Sequence, residues 1–80
     1  MNIVVKCFSQ VRYALGTSEL ILDLPEGSTT ADLEQKIRQR GGEALARITL
    51  RTAVNRQYCQ GPIELTQGDE VAFIPPVQGG

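Results

Sequence analysis

The 80-residue chain is long enough for one domain, but it is close to the size below which folds need a disulfide or a metal. Hydrophobic residues make up 41% and charged residues 21% of it, which is typical of a globular domain and not of a disordered segment. The formal net charge is -1 and no basic stripe stands out in the sequence, so a nucleic-acid partner is not expected.

Residue types that usually act in catalysis or bind metals are scarce in this sequence. The chain has no histidine, the commonest acid–base group and metal ligand, which disfavours an enzyme that works alone. Cys7 and Cys59 are too few for a metal knuckle, so no metal site is predicted and a reduced pair is expected. Without a bilayer-spanning apolar run or a leader after Met1, a cytoplasmic protein with no membrane partner is expected.

The chain begins with two predicted strands. In NIVVKCFS (2–9), β-branched residues dominate, and alternation places Cys7 on the core face and Phe8 on the opposite face. SELILDLP (18–25) alternates in the same way. Gly16-Thr17 lies between them and suits a loop, and two strands joined by a short connection are predicted to pair as an antiparallel hairpin.

The main helix is predicted within PEGSTTADLEQKIRQRGG (25–42). Thr29 followed by Asp32 resembles a capping box with a short acidic arm. Leu33 and Ile37 stand four residues apart, so one apolar face is expected to pack on the sheet. The two glycines at the end are expected to stop the helix.

The second half of the chain is predicted to hold short strands. EALARITL (43–50) could add a helical turn or two, and RTAVNRQYC (51–59) is expected to form two strands around a turn at Asn55-Arg56. DEVAFIPP (69–76) contains the final strand, with Val71 and Phe73 on one face.

This order of elements predicts an α+β fold of the β-grasp, or ubiquitin-like, type. A mixed sheet packs on one main helix, and the final strand lies beside the first in parallel through a right-handed crossover. Fold alone does not give function.

The segment from Pro75 to Gly80 is predicted to be a flexible C-terminal tail. Proline ends the strand and favours extended backbone, and six residues reach at most ~20 Å. Gly79 and Gly80 have no Cβ, so the terminal carboxylate could enter a channel too narrow for side chains. The alternative is an inert tail, since many chains end in glycines without purpose.

An exposed apolar patch is predicted beside the root of this tail. Phe8 and Ile74 fall on the sheet face away from the helix, on neighbouring strands, and Tyr58 could join them. Such a cluster usually marks a docking surface, although scattered surface hydrophobes are common.

Over its whole length the sequence resembles the small, sulfur-carrying subunit of molybdopterin synthase. The resemblance rests on FSQVR (8–12), AVN (53–55) and above all LTQGDEVAFIPPVQGG (65–80). It implies one β-grasp sulfur-carrier domain, 1–80, that is not catalytic by itself and holds no cofactor stably.

The resemblance also implies a mechanism and two partners. An ATP-dependent, E1-like activating enzyme adenylates Gly80, and sulfur then replaces AMP to give a thiocarboxylate. The tail, with Val77, Gln78 and Gly79, inserts into the large synthase subunit, and the sulfur goes to cyclic pyranopterin monophosphate in molybdenum cofactor biosynthesis. The synthase of this family is usually a heterotetramer of two small and two large subunits.

The resemblance assigns partner binding to Phe8, Tyr58 and Ile74. The last two stand where relatives often have leucine and phenylalanine, so docking is kept while specificity could differ. Arg12 matches a family position without a firm role. Three alternatives stay open: a sulfur carrier for thiazole synthesis, a ubiquitin-like modifier that joins lysines, and an interaction module with an inert tail.

Overall fold

The computed structural model describes residues 1–76, which form a five-stranded mixed sheet and two α-helices. The elements are β1 (Asn2–Cys7), α1 (Ser9–Leu15), β2 (Glu19–Asp23), α2 (Thr30–Gly41), a 3-10 turn (Gly42–Ala44), β3 (Arg51–Val54), β4 (Gln57–Tyr58) and β5 (Glu70–Ile74). The strand order is β2-β1-β5-β3-β4, with β1 and β5 parallel and the other pairs antiparallel. This confirms the predicted β-grasp fold, including the parallel placement of the final strand beside the first.

The core lies between the sheet and the helices. Alternation along the central strands works as predicted, because Cys7 of β1 and both Val71 and Phe73 of β5 are buried. Leu33 and Ile37 of α2 join the same cluster and are fully buried. The apolar face of α2 is therefore the one that the sequence predicts.

Helix α2 begins at the predicted capping box. The Thr29 backbone N–H donates to Asp32 Oδ2 at 2.9 Å, and the Asp32 N–H donates to Thr29 Oγ1 at 3.4 Å. The helix ends at Gly41, and the next residue, Gly42, has a φ of 58° that favours glycine. Both ends of the main helix follow from local sequence signals.

Two expectations about the connections were wrong. The first strand ends at Cys7 instead of Ser9, and the connection before β2 is not short but contains helix α1, although Gly16-Thr17 lies outside helix and strand as predicted. The N-cap of α1 is Phe8, which has no side-chain acceptor, so the usual start signal is missing from the sequence. The helix forms because Val11 buries completely in the core, and it ends at Gly16, whose φ is 74°.

The segment after α2 makes only the short 3-10 turn, less than the predicted one or two helical turns. The half-buried Arg38 guanidinium donates to the carbonyl of Leu45 at 2.7 Å and to that of Ile48 at 2.9 Å. The arginine side chain therefore satisfies carbonyls that a longer helix would have paired with its own backbone N–H groups.

Candidate functional site: a groove at the root of the tail

The tail begins directly where the sheet ends. Ile74 is the last residue of β5, and Pro75 and Pro76 follow it without secondary structure. The predicted sulfur-bearing Gly80 and the tail residues Val77, Gln78 and Gly79 lie outside the described residues. The structure therefore defines where the tail starts, and the roles assigned to its last four residues stay predictions.

A groove of about 530 Å³ lies on the sheet face opposite α2, beside this starting point. Its lining includes the three residues to which the resemblance assigns partner binding, Phe8, Tyr58 and Ile74, together with Arg12, which matches a family position. The structure thus brings together residues from α1, β4, β5 and the β1–α1 junction. Their role in binding a partner stays a prediction.

The apolar walls differ in how much surface they expose. Tyr58 is 57% exposed and Phe8 is 47% exposed, whereas Ile74 is half-buried. Phe8 keeps an extended backbone, with φ −126° and ψ 152°, and so continues the alternation of β1 after the strand has ended. Its ring therefore stays on the open sheet face, as the alternation predicts.

Helix α1 is the element that carries Arg12 to the groove. The Phe8 carbonyl accepts hydrogen bonds from the N–H groups of Val11 at 3.0 Å and Arg12 at 3.4 Å. Phe8 thus forms one wall of the groove with its side chain and begins the helix with its backbone. The motif FSQVR is a structural unit that fixes Phe8 and Arg12 relative to one another.

Tyr58 is held in place across the sheet. It pairs with Ala53 of β3, and the Arg51 guanidinium carbon lies 4.2 Å from the centre of its ring. A cation over a ring face at this distance is an attractive cation–π contact. Arg51 also pairs in register with Ile74, so it links two walls of the groove.

The turn after AVN is fixed by the start of the last strand. Asn55 and Arg56 have φ values of 50° and 71°, so both adopt the left-handed conformation of a tight hairpin turn. Asn55 Nδ2 donates to Asp69 Oδ1 at 3.1 Å, and the Glu70 N–H donates to Asn55 Oδ1 at 3.0 Å. Two of the motifs behind the resemblance, AVN and LTQGDE, therefore meet in one hydrogen-bonded cluster that places Arg56 on the groove.

The Asp69 carboxylate accepts two hydrogen bonds within this cluster. Its Oδ2 accepts a hydrogen bond from the Thr66 backbone N–H at 2.8 Å. That bond, together with the contact to Asn55, lowers the pKa of Asp69 below its usual range. The turn is thus fixed by a carboxylate that stays ionised at neutral pH.

The rim of the groove also carries a paired cation. The Lys6 ammonium contacts Glu19 across β1 and β2, and this hydrogen bond raises the pKa of Lys6. Arg12 and Arg56 lie on the same rim and are exposed. Sequence reasoning missed Lys6 and Arg56, although the alternation along β1 could have identified Lys6.

The two cysteines form no disulfide. Cys7 is buried, and burial raises the pKa of its thiol, so it packs as a small core residue as its position in β1 predicts. Among residues 1–76, no three His, Cys, Asp or Glu side chains cluster to hold a metal. None of the helices in this part of the chain has both the length and the apolar character needed to cross a membrane.

Comparison with known proteins agrees with the resemblance. The ThiS family model matches residues 5–80. The molybdopterin synthase sulfur carrier subunit of Escherichia coli K12 is 39% identical over 80 residues, covering 98% of this chain and 99% of that protein.

Solved structures agree on the fold. A putative molybdopterin converting factor subunit 1 from Pyrococcus furiosus has a TM-score of 0.85 at 31% identity, over 96% of this chain and 99% of that one. Small archaeal modifier protein 1 of Haloferax volcanii has a TM-score of 0.81 at 20% identity, over 95% and 98%, a likeness of fold alone. The family match and the curated relative decide the assignment: the chain belongs to the ThiS family and to the family of molybdopterin synthase sulfur carrier subunits.

Proposed function

We propose that this protein carries sulfur on its C-terminal Gly80 and donates it, within molybdopterin synthase, to cyclic pyranopterin monophosphate. The observation that carries the proposal is the position of Ile74, which lines the groove and is followed at once by the tail. A partner seated on the groove would have its own active site within the ~20 Å that six extended residues can reach.

The chemistry needs an activated carboxyl group. A free carboxylate is a poor electrophile, so the Gly80 carboxylate first attacks the α-phosphate of ATP, giving an acyl adenylate and releasing pyrophosphate. A sulfur nucleophile then adds to the acyl carbon and AMP leaves. The product is a thiocarboxylate whose sulfur can attack the pterin substrate.

Both steps require partners. The chain has no histidine and relies on other proteins for substrate-binding and acid–base groups, so it is proposed to be non-catalytic by itself. The proposed partners are an E1-like adenylating enzyme that uses ATP and the large synthase subunit, in a heterotetramer. The groove serves both, so the two complexes exclude each other.

The proposed compartment is the cytoplasm, where thiols stay reduced.

Mass spectrometry with fragmentation of the C-terminal peptide tests the proposal directly. Protein incubated with its activating enzyme, ATP and a sulfur donor should gain the mass of an oxygen-to-sulfur exchange, localised to Gly80. Localisation matters because oxidation of Met1 or a cysteine gives nearly the same shift. An unmodified Gly80 under these conditions would refute the carrier, and an amide link to a lysine would indicate a modifier.

Deletion of Gly80 tests the same proposal in a strain that lacks the carrier. The shortened protein should keep its melting temperature and its affinity for the large subunit, yet restore no molybdopterin to a strain lacking the carrier. Normal molybdopterin with this variant would show that the last glycine carries no sulfur. Gly79→Val tests the narrow-channel argument separately, because it keeps the carboxylate and adds a branched side chain.

A further inference from the structure

The floor of the groove is made of two of the smallest side chains in the sheet. Ala72 of β5 and Ala53 of β3 are direct register partners and both line the groove. Larger apolar side chains, those of Phe8, Tyr58 and Ile74, stand around them. Two adjacent alanines between such walls leave a depression where a sheet would otherwise present a level surface.

The depression suits an apolar occupant. No buried side-chain nitrogen or oxygen among residues 1–76 lacks a hydrogen-bond partner, so no buried polar group beneath the groove needs a ligand, and its unpaired charges lie on the exposed rim. Methyl groups form the floor, and aromatic and aliphatic side chains form the walls. A large apolar side chain would bury against all of them, and such a contact is typical of the centre of a protein interface.

The charges around the groove differ in sign from those on the rest of the molecule. Three of the eight Lys and Arg residues line it, against two of the nine Asp and Glu residues. The basic three are Lys6, Arg12 and Arg56, and the acidic two are Glu19 and Glu70. The groove region is therefore net positive, while the other charged side chains of the chain are net negative.

Two of these cations are available to a partner. Lys6 already contacts Glu19, and Arg51 is stacked on Tyr58. Arg12 and Arg56 are exposed on the rim, and neither takes part in an ion pair within residues 1–76. A partner surface that brings carboxylates to these two positions would meet complementary charge.

We propose that the groove is a socket for one large apolar side chain of the large synthase subunit, presented between carboxylates that face Arg12 and Arg56. This inference rests on the proposed function, since it specifies the partner surface that the carrier recognises. The apolar side chain supplies contact area at the centre of the interface, and the carboxylates supply orientation and a faster association rate.

Filling the socket tests the first half of the inference. Ala72→Met places a long side chain over the floor of the groove. Binding to the purified large subunit, measured by calorimetry, should weaken at least tenfold for Ala72→Met. Ala46→Met, at an exposed position near α2, is the control for added surface methionine and should bind like wild type.

Charge reversal tests the second half. Arg12→Glu and Arg56→Glu should each slow association and flatten its dependence on salt, while Arg47→Glu, exposed and away from the groove, should change neither. If both rim variants associate at the wild-type rate at every salt concentration, the proposed carboxylates are absent.

The outcomes separate this inference from the proposed function. A wild-type protein that accepts sulfur at Gly80 but whose Ala72→Met variant binds the large subunit normally would overturn the socket and leave the carrier intact. A wild-type protein that never accepts sulfur would overturn the carrier. Loss of a wild-type homodimer on Ala72→Met, with binding to the large subunit unchanged, would assign the socket to a second copy and overturn the inference.

Discussion

Replacing Tyr58 with alanine should weaken binding to the large synthase subunit by about 5-fold to 100-fold. A tyrosine side chain has an area of about 200 Å², and Tyr58 leaves 57% of its surface exposed, so about 110 Å² is available to a partner. At ~25 cal/mol per Å², full burial is worth at most about 2.8 kcal/mol, or a factor of about 100 in Kd. The lower limit of about 1 kcal/mol applies if the partner covers only part of the ring.

The fold should tolerate this change. Tyr58 lies on β4, a strand of two residues at the sheet edge, and its loss removes one exposed cation–π contact worth about 0.5–1 kcal/mol. The melting temperature should therefore fall by less than about 8 °C in a domain of this size. Binding and stability can be measured on the same preparation.

Tyr13→Ala is the matched control, because it makes the same chemical change at an aromatic that is 87% exposed and does not line the groove. Calorimetry with the large subunit should show wild-type affinity for Tyr13→Ala and reduced affinity for Tyr58→Ala. Equal affinities for the two variants would refute the docking role of the groove, whatever their absolute values.

Two further predictions concern the stability of the scaffold. Gly41→Ala should lower the free energy of unfolding by about 1 kcal/mol, because the added Cβ would lie 2.7 Å from Cγ of the buried Leu45. Overpacking costs about 1–3 kcal/mol, which outweighs the gain of about 1 kcal/mol in helix propensity. Urea unfolding that shows a more stable variant would contradict this. The pKa of Asp69 is lowered in the folded protein, so its ionised carboxylate contributes to the free energy of unfolding at pH values above the unfolded pKa of about 3.9. This contribution is lost as the pH falls through the folded pKa. Asp69→Asn should therefore be less stable than wild type at pH 7 and should lose less stability between about pH 5 and pH 2. If thermal melts show the same loss of stability with falling pH in both proteins, the Asp69 carboxylate does not cause the acid dependence.

The parts of the fold that the sequence predicts correctly are those with local signals. The capping box at Thr29, the four-residue spacing of Leu33 and Ile37, and the alternation of β1 and β5 each depend on neighbours in the chain. Helix α1 lacks such a signal, since it spans only seven residues and is capped by Phe8. Its stability comes from tertiary burial of Val11, which no local pattern reveals.

The groove, like the fold, could be predicted from the sequence only in part. Its apolar walls could be predicted because Phe8 and Ile74 alternate away from the core on strands expected to be neighbours. Its floor could not, because the pairing of Ala53 with Ala72 depends on the register between β3 and β5. The place of Arg56 depends equally on the hydrogen bonds of Asn55 to the start of β5.

Strand β5 contributes one face to the core and the other to the groove. Its inward side chains, Val71 and Phe73, are fully buried, while its outward side chains, Ala72 and Ile74, line the groove. The residue after Ile74 begins the tail. Because side chains alternate along a strand, a partner can contact the outer face of β5 without disturbing the core. Under the proposed function, a partner docked on this face would bind beside the start of the tail and receive the carboxyl terminus. A carrier and a modifier with this fold would share the same arrangement, and the identity of the partner that fits the groove decides between them.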